Sequence, residues 1–256
     1  MKSKKKHEKT RLGFFSLTCC EGCELAVLEL NRDFVKALGF VEILESRMLR
    51  EKNPPQELDI AFVEGSIVGK DDLEKAQKIR ERSRFLVAMG ACATIAGIPG
   101  IRNALPEKIK SALPQRAVKK PLEAVHKLSD FVKVDFELQG CAINEKEFLK
   151  VLVQFHNGFF PRLENVPVCK ECKEKENPCL LLEGKACLGP ASYAGCNALC
   201  PSQKAQCIGC RGFTKDANFS ALKRLFKEFG LTEGETKNIF TYFNPDPFAE
   251  ASNARQ

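Results

Sequence analysis

Two hydrophobic patterns alternate along residues 11–160 of the chain. Four stretches have the short apolar runs or the period-two alternation of strands: 11–18, 58–63, 85–89 and 132–138. Three stretches have helical patterns: 24–38, 71–84 and 145–155. Strands that alternate with helices predict an α/β domain in which helices cover both faces of a parallel sheet.

The pattern changes in the second part of the chain. Residues 166–212 contain eight cysteines and no sustained hydrophobic period, so we expect metal rather than an apolar core to hold this segment together. Residues 219–229 have the pattern of an amphipathic helix, and Thr232 with Glu235 forms a capping box for a last helix that reaches about Tyr242. The predicted organisation is a disordered basic tail (1–10), an α/β domain (11–160), a cysteine-rich and mostly irregular domain with short helices (161–215), and C-terminal helices with a surface tail (216–256).

Composition and charge narrow the class of protein. The chain has 256 residues, of which 44% are hydrophobic, enough for a real core. The formal charge is +7, but residues 1–11 carry six basic and one acidic side chain, so +5 lies there and only +2 in the rest. This distribution argues against a nucleic-acid partner. Neither an export signal nor an apolar run of membrane-spanning length is present, which predicts a cytoplasmic protein without a membrane anchor, whose reduced thiols are available to metal.

Chemically capable residues follow the predicted strands. Cys20 and Cys23 follow the predicted strand 11–18 as CEGC, Glu64 follows 58–63, Cys92 follows 85–89 and Cys141 follows 132–138. Because the carboxyl ends of parallel strands meet at one edge of the sheet, we expect these four cysteines to come together there.

Four thiolates fit either zinc or an iron-sulfur cluster. One CxxC pair with two isolated cysteines is unusual for structural zinc, which usually takes two local pairs. The neighbouring Gly22, Gly90 and Gly140 allow close approach of a bulky inorganic group and offer amide donors to sulfide, which favours iron and sulfur. Each cysteine taken alone could instead be a small buried apolar residue.

The second segment has enough cysteines for two four-iron clusters: Cys169, Cys172, Cys179, Cys187, Cys196, Cys200, Cys207 and Cys210. Its two CxxC pairs also permit zinc, whereas the tight series with a Cys200-Pro201 step is similar to bacterial ferredoxins and favours iron. Cys19 is left over and is interpreted as a bystander. His126 and His156 lie away from the cysteine motifs and are interpreted as structural or surface residues. Three clusters without a substrate pocket predict an electron-transfer chain that needs partner proteins.

The motifs CEGC, VEGS, GACATIAG, the Gly140-Cys141 pair and the eight-cysteine run together resemble the small subunit of [NiFe]-hydrogenases. The similarity is greatest to the cytosolic branch with archaeal sulfhydrogenase delta chains and the small subunits of deazaflavin-reducing and viologen-reducing hydrogenases. It covers nearly all of residues 11–215. The resemblance implies a flavodoxin-like domain with a proximal 4Fe-4S cluster, next to a large subunit that holds the nickel-iron centre. The implied ligands are Cys20, Cys23, Cys92 and Cys141 (proximal); Cys196, Cys200, Cys207 and Cys210 (medial); and Cys169, Cys172, Cys179 and Cys187 (distal).

The implied function is electron relay between that large subunit and flavin or iron-sulfur subunits of diaphorase type, with no catalysis by this chain alone. Relatives often have histidine at the place of Cys169, and some have proline near Cys200, so cysteine at both places implies three 4Fe-4S clusters. Glu64 and Glu21 are expected near the proximal cluster or on a proton path, and Arg211 is expected to donate to a cluster or to a partner's backbone. A loop carboxylate and a surface arginine are the alternatives for these residues.

Two departures from the family pattern leave other interpretations open. Ala142 and Ile143 follow Cys141, where the family usually has prolines. The tandem Cys19-Cys20 is similar to the cluster-bearing subunit of respiratory NADH dehydrogenase, in which adjacent cysteines both bind the cluster, and Cys23 would then be spare. The alternative functions are a cluster subunit of a redox complex that lacks nickel, and a zinc-stabilised binding module.

Overall fold

The computed structural model describes residues 9–49, 56–112 and 120–245. Most of the predicted basic tail and the end of the predicted C-terminal tail, 1–8 and 246–256, lie outside the described residues. Thr10, which the sequence pattern assigns to the tail, is instead buried and begins the first strand. Among the residues described, no helix has both the length and the apolar composition needed to cross a membrane.

Five parallel strands form the main sheet, in the order β2-β1-β3-β5-β7. They are β1 (Thr10–Ser16), β2 (Val41–Glu45), β3 (Leu58–Glu64), β5 (Ser83–Met89) and β7 (Phe136–Leu138). Counted along the chain, this is the flavodoxin-like order 2-1-3-4-5, so the predicted α/β class is confirmed. Two further strands, β4 (Ile67–Gly69) and β6 (Pro121–His126), form an antiparallel pair beside it.

Helices cover both faces of the sheet. In the first part of the chain they are α1 (Gly22–Leu28), α2 (Arg32–Ala37), α3 (Lys70–Glu81), α4 (Ala91–Ile95), α5 (Gly97–Ala104), α6 (Glu107–Ala112) and α7 (Glu145–His156), with a 3-10 turn at Leu128–Asp130. The single helix predicted over 24–38 is broken at Asn31, whose φ of 49° lies in the left-handed region that asparagine tolerates. The strand predicted over 132–138 shortens to β7, because residues 132–135 are bends and irregular backbone.

The two faces of the sheet bury separate apolar layers. Phe14 and Phe62 stack on one face, with ring centroids 5.3 Å apart, and pack against Phe148 of α7. On the opposite face, Ala61 and Val63 belong to a second core with α3 and α4. This alternation within β3 follows from the period of two in a strand, which places successive side chains on opposite faces of the sheet.

The cysteine-rich segment also has an apolar core, so the expectation that metal alone holds it together is wrong. The segment contains α8 (Val168–Glu174) and α9 (Leu199–Ser202) and is followed by α10 (Phe219–Glu228) and α11 (Glu233–Thr241). Leu188 and Phe213 of the segment pack with Phe219, Phe226 and Phe240 of the last two helices. The buried phenylalanines of this core all come from after residue 212, where a search of 166–212 cannot find them.

The chain after α11 returns to the sheet domain. Phe243 packs against Ala91 and Ile95 of α4 and against Cys210. Asn244, predicted in a surface tail, is buried. The C-terminal residues thus tie the sheet domain to the cysteine-rich segment.

Candidate metal centres

Four cysteines surround a small cavity at the carboxyl edge of the sheet, as the strand pattern predicts. Cys20 precedes α1, Cys23 lies in α1, Cys92 lies in α4, and Cys141 follows β7. Glu64, the last residue of β3, lines the same cavity. Cys20 and Cys141 are exposed, whereas Cys23 and Cys92 are half-buried, so the cavity opens toward the surface on one side.

Glycines shape this cavity around the sulfur atoms. A Cβ on Gly22 would lie 3.2 Å from Cys20 Sγ, and a Cβ on Gly90 would collide with Cys23 Sγ. Gly90 has a φ of 86° and a ψ of 165°, a conformation that essentially only glycine adopts. The local backbone therefore reserves space beside the sulfurs that any other residue would fill.

Three of the four proximal cysteines have thiols with a raised pKa. Burial is the main cause that raises the pKa of Cys23, and it raises the pKa of Cys92 to about 11. The pKa of Cys141 is also raised, first by burial and then by nearby Cys20. Because the thiolate is the form that binds metal, positive metal charge at this place would offset the unfavourable burial of negative sulfur.

The two predicted carboxylates differ in their surroundings. Glu64 is 2% exposed; it accepts a hydrogen bond from the Cys23 N–H at 3.2 Å and one from the Ser16 hydroxyl at 3.4 Å. Burial raises the pKa of Glu64 to about 7. Glu21 is half-buried and forms an ion pair with the exposed Arg47, with 2.5 Å between Oε1 and Nη1. Glu64 thus holds a cysteine of the site, while Glu21 pairs with a surface arginine.

Cys19 also lines the proximal cavity, which the sequence did not predict. Its Sγ lies 3.7 Å from the Leu17 carbonyl oxygen, and burial followed by the charge of Glu64 raises its pKa to about 12. Both Cys19 and Cys23 border the cavity. Ligation by Cys20 with Cys23 and ligation by Cys19 with Cys20 are therefore both compatible with the position of the residues.

The distal set gathers around α8, which carries Cys169 and Cys172. A Cβ on Gly189 would lie 3.4 Å from Cys169 Sγ and 3.5 Å from Cys187 Sγ, so a glycine again separates two sulfurs. The pKa of Cys169 rises to about 11 through burial and then through the neighbouring Cys187, Cys172 and Cys179. These interactions put all four predicted distal cysteines in one neighbourhood.

The medial set lies between the other two. The pKa of Cys210 rises to about 11 through burial, with contributions from Cys196 and Cys200. The pKa of Cys207 rises to about 12 through burial, and its backbone N–H donates to Cys187 Sγ of the distal set at 3.3 Å. Cys141, in the proximal set, also lies close enough to contribute to the pKa of Cys210.

The donor chemistry fits an iron-sulfur cluster at each set. Within the described parts of the chain, no three histidine, cysteine, aspartate or glutamate side chains are close enough to hold a single metal ion. Each set offers four sulfur donors, and the proximal and distal sets have glycines where a Cβ would lie against or collide with a cysteine sulfur. All-sulfur donors with unhindered neighbouring backbone are typical of iron-sulfur ligation.

Comparison with known proteins identifies the family. Residues 20–155 match the family model described as NADH ubiquinone oxidoreductase, 20 Kd subunit. Sulfhydrogenase 2 subunit delta of Pyrococcus furiosus is 35% identical, over 91% of this chain and 98% of that protein. A vhu subunit of the F420-non-reducing hydrogenase of Methanocaldococcus jannaschii is 31% identical, over 80% of this chain and 82% of that protein.

The chain belongs to the hydrogenase small-subunit branch of this family. It is an electron-transfer subunit of an oxidoreductase, as the motifs predict. Among solved structures, a chain of an NAD⁺-reducing [NiFe]-hydrogenase in the H2-reduced state matches with a TM-score of 0.56 and 26% identity, over 61% of this chain and 96% of that one. A chain of the Ni-Fe-Se hydrogenase of Desulfomicrobium baculatum shares the fold, with a TM-score of 0.54 and 17% identity over 80% and 94%.

Sequence reasoning named Arg211 of this hydrogenase small subunit, but it missed the partner of Arg211 and the role of Glu171. Arg211 is 3% exposed and donates within its own chain, so the surface alternative is wrong. Its partner Glu147 in α7 carried no motif. Glu171, between two cysteines of α8, accepts from the N–H groups of Gly195 and Ala198 at 2.7 and 2.9 Å and so holds the loop of Cys196. Such contacts depend on tertiary packing, and no spacing in the sequence indicates them.

The two histidines bond away from the cysteines. His126 bonds to Asp130, and His156 bonds to Thr10.

Proposed function

We propose that this hydrogenase small subunit holds three 4Fe-4S clusters and relays electrons between a nickel-iron centre in a large subunit and a flavin or iron-sulfur partner. This proposal rests on the proximity of neighbouring cysteine sets. Cys141 of the proximal set lies close enough to Cys210 of the medial set to contribute to the pKa of its thiol, and the Cys207 N–H of the medial set donates to Cys187 Sγ of the distal set. Three sets in contact, one after another, give electrons a continuous route through the chain.

The proposed ligands follow the three neighbourhoods. They are Cys20, Cys23, Cys92 and Cys141 for the proximal cluster; Cys196, Cys200, Cys207 and Cys210 for the medial cluster; and Cys169, Cys172, Cys179 and Cys187 for the distal cluster. When bound, such clusters supply one-electron acceptors and donors. Nine of these twelve cysteines are buried or half-buried, and this burial supports the assignment together with the glycines beside the proximal and distal sulfurs.

Cysteine at every ligand position has a consequence for reduction potential. A thiolate at Cys169 and another at Cys200 make their clusters more negative than histidine ligation or a missing ligand would. More negative surroundings disfavour the reduced state and lower the potential. We therefore expect a distal cluster suited to acceptors of low potential.

The protein side chains position the ligands and contribute no catalysis of their own. Glu64 fixes the backbone of Cys23 through the bond at 3.2 Å, and Glu171 fixes the loop of Cys196 from the helix that carries Cys169 and Cys172. A rigid frame of this kind keeps each site in one geometry in both oxidation states, which favours fast electron transfer.

We further propose where the partners bind. The large subunit would cover the proximal edge, where Cys20 and Cys141 are exposed. The acceptor subunit would bind near the distal set, where Cys179 is exposed and the Leu182 side chain is 89% exposed. The chain spans 98% of the Pyrococcus furiosus delta subunit, whose name places it in a sulfhydrogenase. We expect the assembly to work in the cytoplasm.

The test is to purify the assembly without oxygen through a tag on this chain. We expect a nickel-containing large chain to copurify and hydrogen to reduce a viologen dye. Cys92→Ala should remove the proximal cluster and abolish dye reduction, while hydrogen-deuterium exchange at the nickel site continues. Cys19→Ala is the matched control and should keep dye reduction.

Three results would contradict the proposal. An assembly with iron but without nickel would favour a redox complex of another kind. Undiminished dye reduction in the Cys92→Ala assembly would mean that electrons leave by a route that does not include the proximal set. Zinc in place of iron would favour a zinc-stabilised binding module.

A further inference from the structure

We propose that Arg211 is a positioning residue that holds the proximal and medial cysteine sets in contact and thereby controls electron passage between them. This inference rests on the proposed function and names the side chain that couples two of its sites.

The guanidinium of Arg211 uses all of its nitrogens inside the protein. Nε donates to the Ala194 carbonyl, Nη1 to the Gln139 carbonyl and Nη2 to Glu147 Oε2, each at 2.7 Å. The side chain of Arg211 is 4% exposed and that of Glu147 is 16% exposed. A planar group with fixed donor directions that bonds three separate segments sets their relative positions.

Two of these segments lie beside a cluster cysteine, since Gln139 is two residues before Cys141 and Ala194 is two residues before Cys196. Arg211 itself directly follows Cys210. One side chain therefore links the chain next to the fourth proximal ligand with the chain next to the first and last medial ligands. Its bond to Gln139 lies near Cys141, which is close enough to Cys210 to contribute to the pKa of that thiol.

Gly195 shows how closely the medial loop lies on this ion pair. A Cβ on Gly195 would collide with both Glu147 and Arg211, and its φ of 113° also requires glycine. The loop that carries Cys196 therefore rests directly on the pair. Glu147 supplies the negative charge that a buried guanidinium needs, since a buried charge without a partner is strongly destabilising.

Charge and geometry can be separated by two substitutions. Arg211→Lys keeps the positive charge but has a single ammonium, which cannot bond three diverging acceptors in the same plane. Glu147→Gln keeps an acceptor oxygen for Arg211 and removes one negative charge near the medial set. Arg224→Lys in α10 is the matched control, because the Arg224 side chain is exposed.

The experiment uses the whole assembly with its clusters loaded and compares the variants at equal iron content. Rapid-mixing spectroscopy measures how fast hydrogen-derived electrons pass from the proximal to the medial cluster, and a potentiometric EPR titration measures the medial potential and the coupling between the two reduced clusters. We expect Arg211→Lys to slow the transfer several-fold and to weaken the coupling, with a smaller change of potential. We expect Glu147→Gln to raise the medial potential, because a reduced cluster is more negative. Arg224→Lys should change neither.

Three outcomes bear on the inference separately from the proposed function. An Arg211→Lys assembly with full iron, unchanged transfer rate and unchanged coupling would overturn it while the three-cluster proposal stands. If Arg211→Lys fails to assemble, an unchanged medial potential and coupling in Glu147→Gln would overturn it. A wild-type assembly without iron would overturn both.

Discussion

Gly90→Ala should damage the proximal site more than any change of side-chain chemistry outside the cysteines. Gly90 lies between β5 and α4, as the N-cap of α4, at φ 86° and ψ 165°. Alanine in this region of backbone space costs about 1–3 kcal/mol. The added Cβ would also collide with Cys23 Sγ and approach the Gly140 carbonyl at 3.4 Å, which adds a packing cost of about 1–3 kcal/mol.

The assay compares Gly90→Ala with Gly230→Ala by chemical unfolding and by iron content. Gly230 has a φ of 85°, but no atom lies within 4 Å of its Cβ position, so this variant shares the positive φ without the collision. We expect Gly90→Ala to lose about 2–6 kcal/mol of unfolding free energy and one cluster's iron. Gly230→Ala should lose about 1–2 kcal/mol and keep its iron. Equal stability and equal iron in the two variants would refute the reasoning about the cavity.

Three other substitutions test separate parts of the structure. Cys20→Ser should remove about four iron atoms per chain and Cys19→Ser none, by iron analysis; loss of iron in Cys19→Ser as well would favour ligation by the tandem pair Cys19-Cys20. Phe226→Ala removes a fully buried ring and should lower the free energy of unfolding by about 3–5 kcal/mol. Phe159 is 69% exposed, so Phe159→Ala should change that free energy by no more than about 0.5 kcal/mol. Similar losses in the two variants would contradict the core that α10 and α11 form. Glu171→Gln should weaken the EPR signal of the medial cluster, because the amide has one oxygen in place of the two that accept from the Gly195 and Ala198 N–H groups. An unchanged signal would show that the Cys196 loop keeps its position without these two bonds.

The cysteine geometry of the sheet domain could be predicted because it depends on a topological rule. Parallel strands have their carboxyl ends at one edge, so residues after β1, β5 and β7 must meet. Cys92 and Cys141 are far apart in sequence, yet both line the cavity with Cys20 and Cys23. Only the positions of strands along the chain were needed for this prediction.

Contacts that depend on side-chain packing could not be predicted. Arg211 and Glu147 are 64 residues apart and match no motif. The apolar core of the cysteine-rich segment combines Phe213 with Phe226 and Phe240, from helices that a local hydrophobic period assigns to a separate element. The break at Asn31 depends on a single left-handed residue inside an otherwise helical pattern.

The most direct test of the central claim is a count of clusters in the assembly isolated without oxygen. Iron and sulfide analysis with EPR of the fully reduced assembly should give about twelve iron and about twelve sulfide in this chain, with magnetic coupling between neighbouring clusters. Zinc in the cysteine sets, or iron in only one set, would contradict an electron route through three clusters.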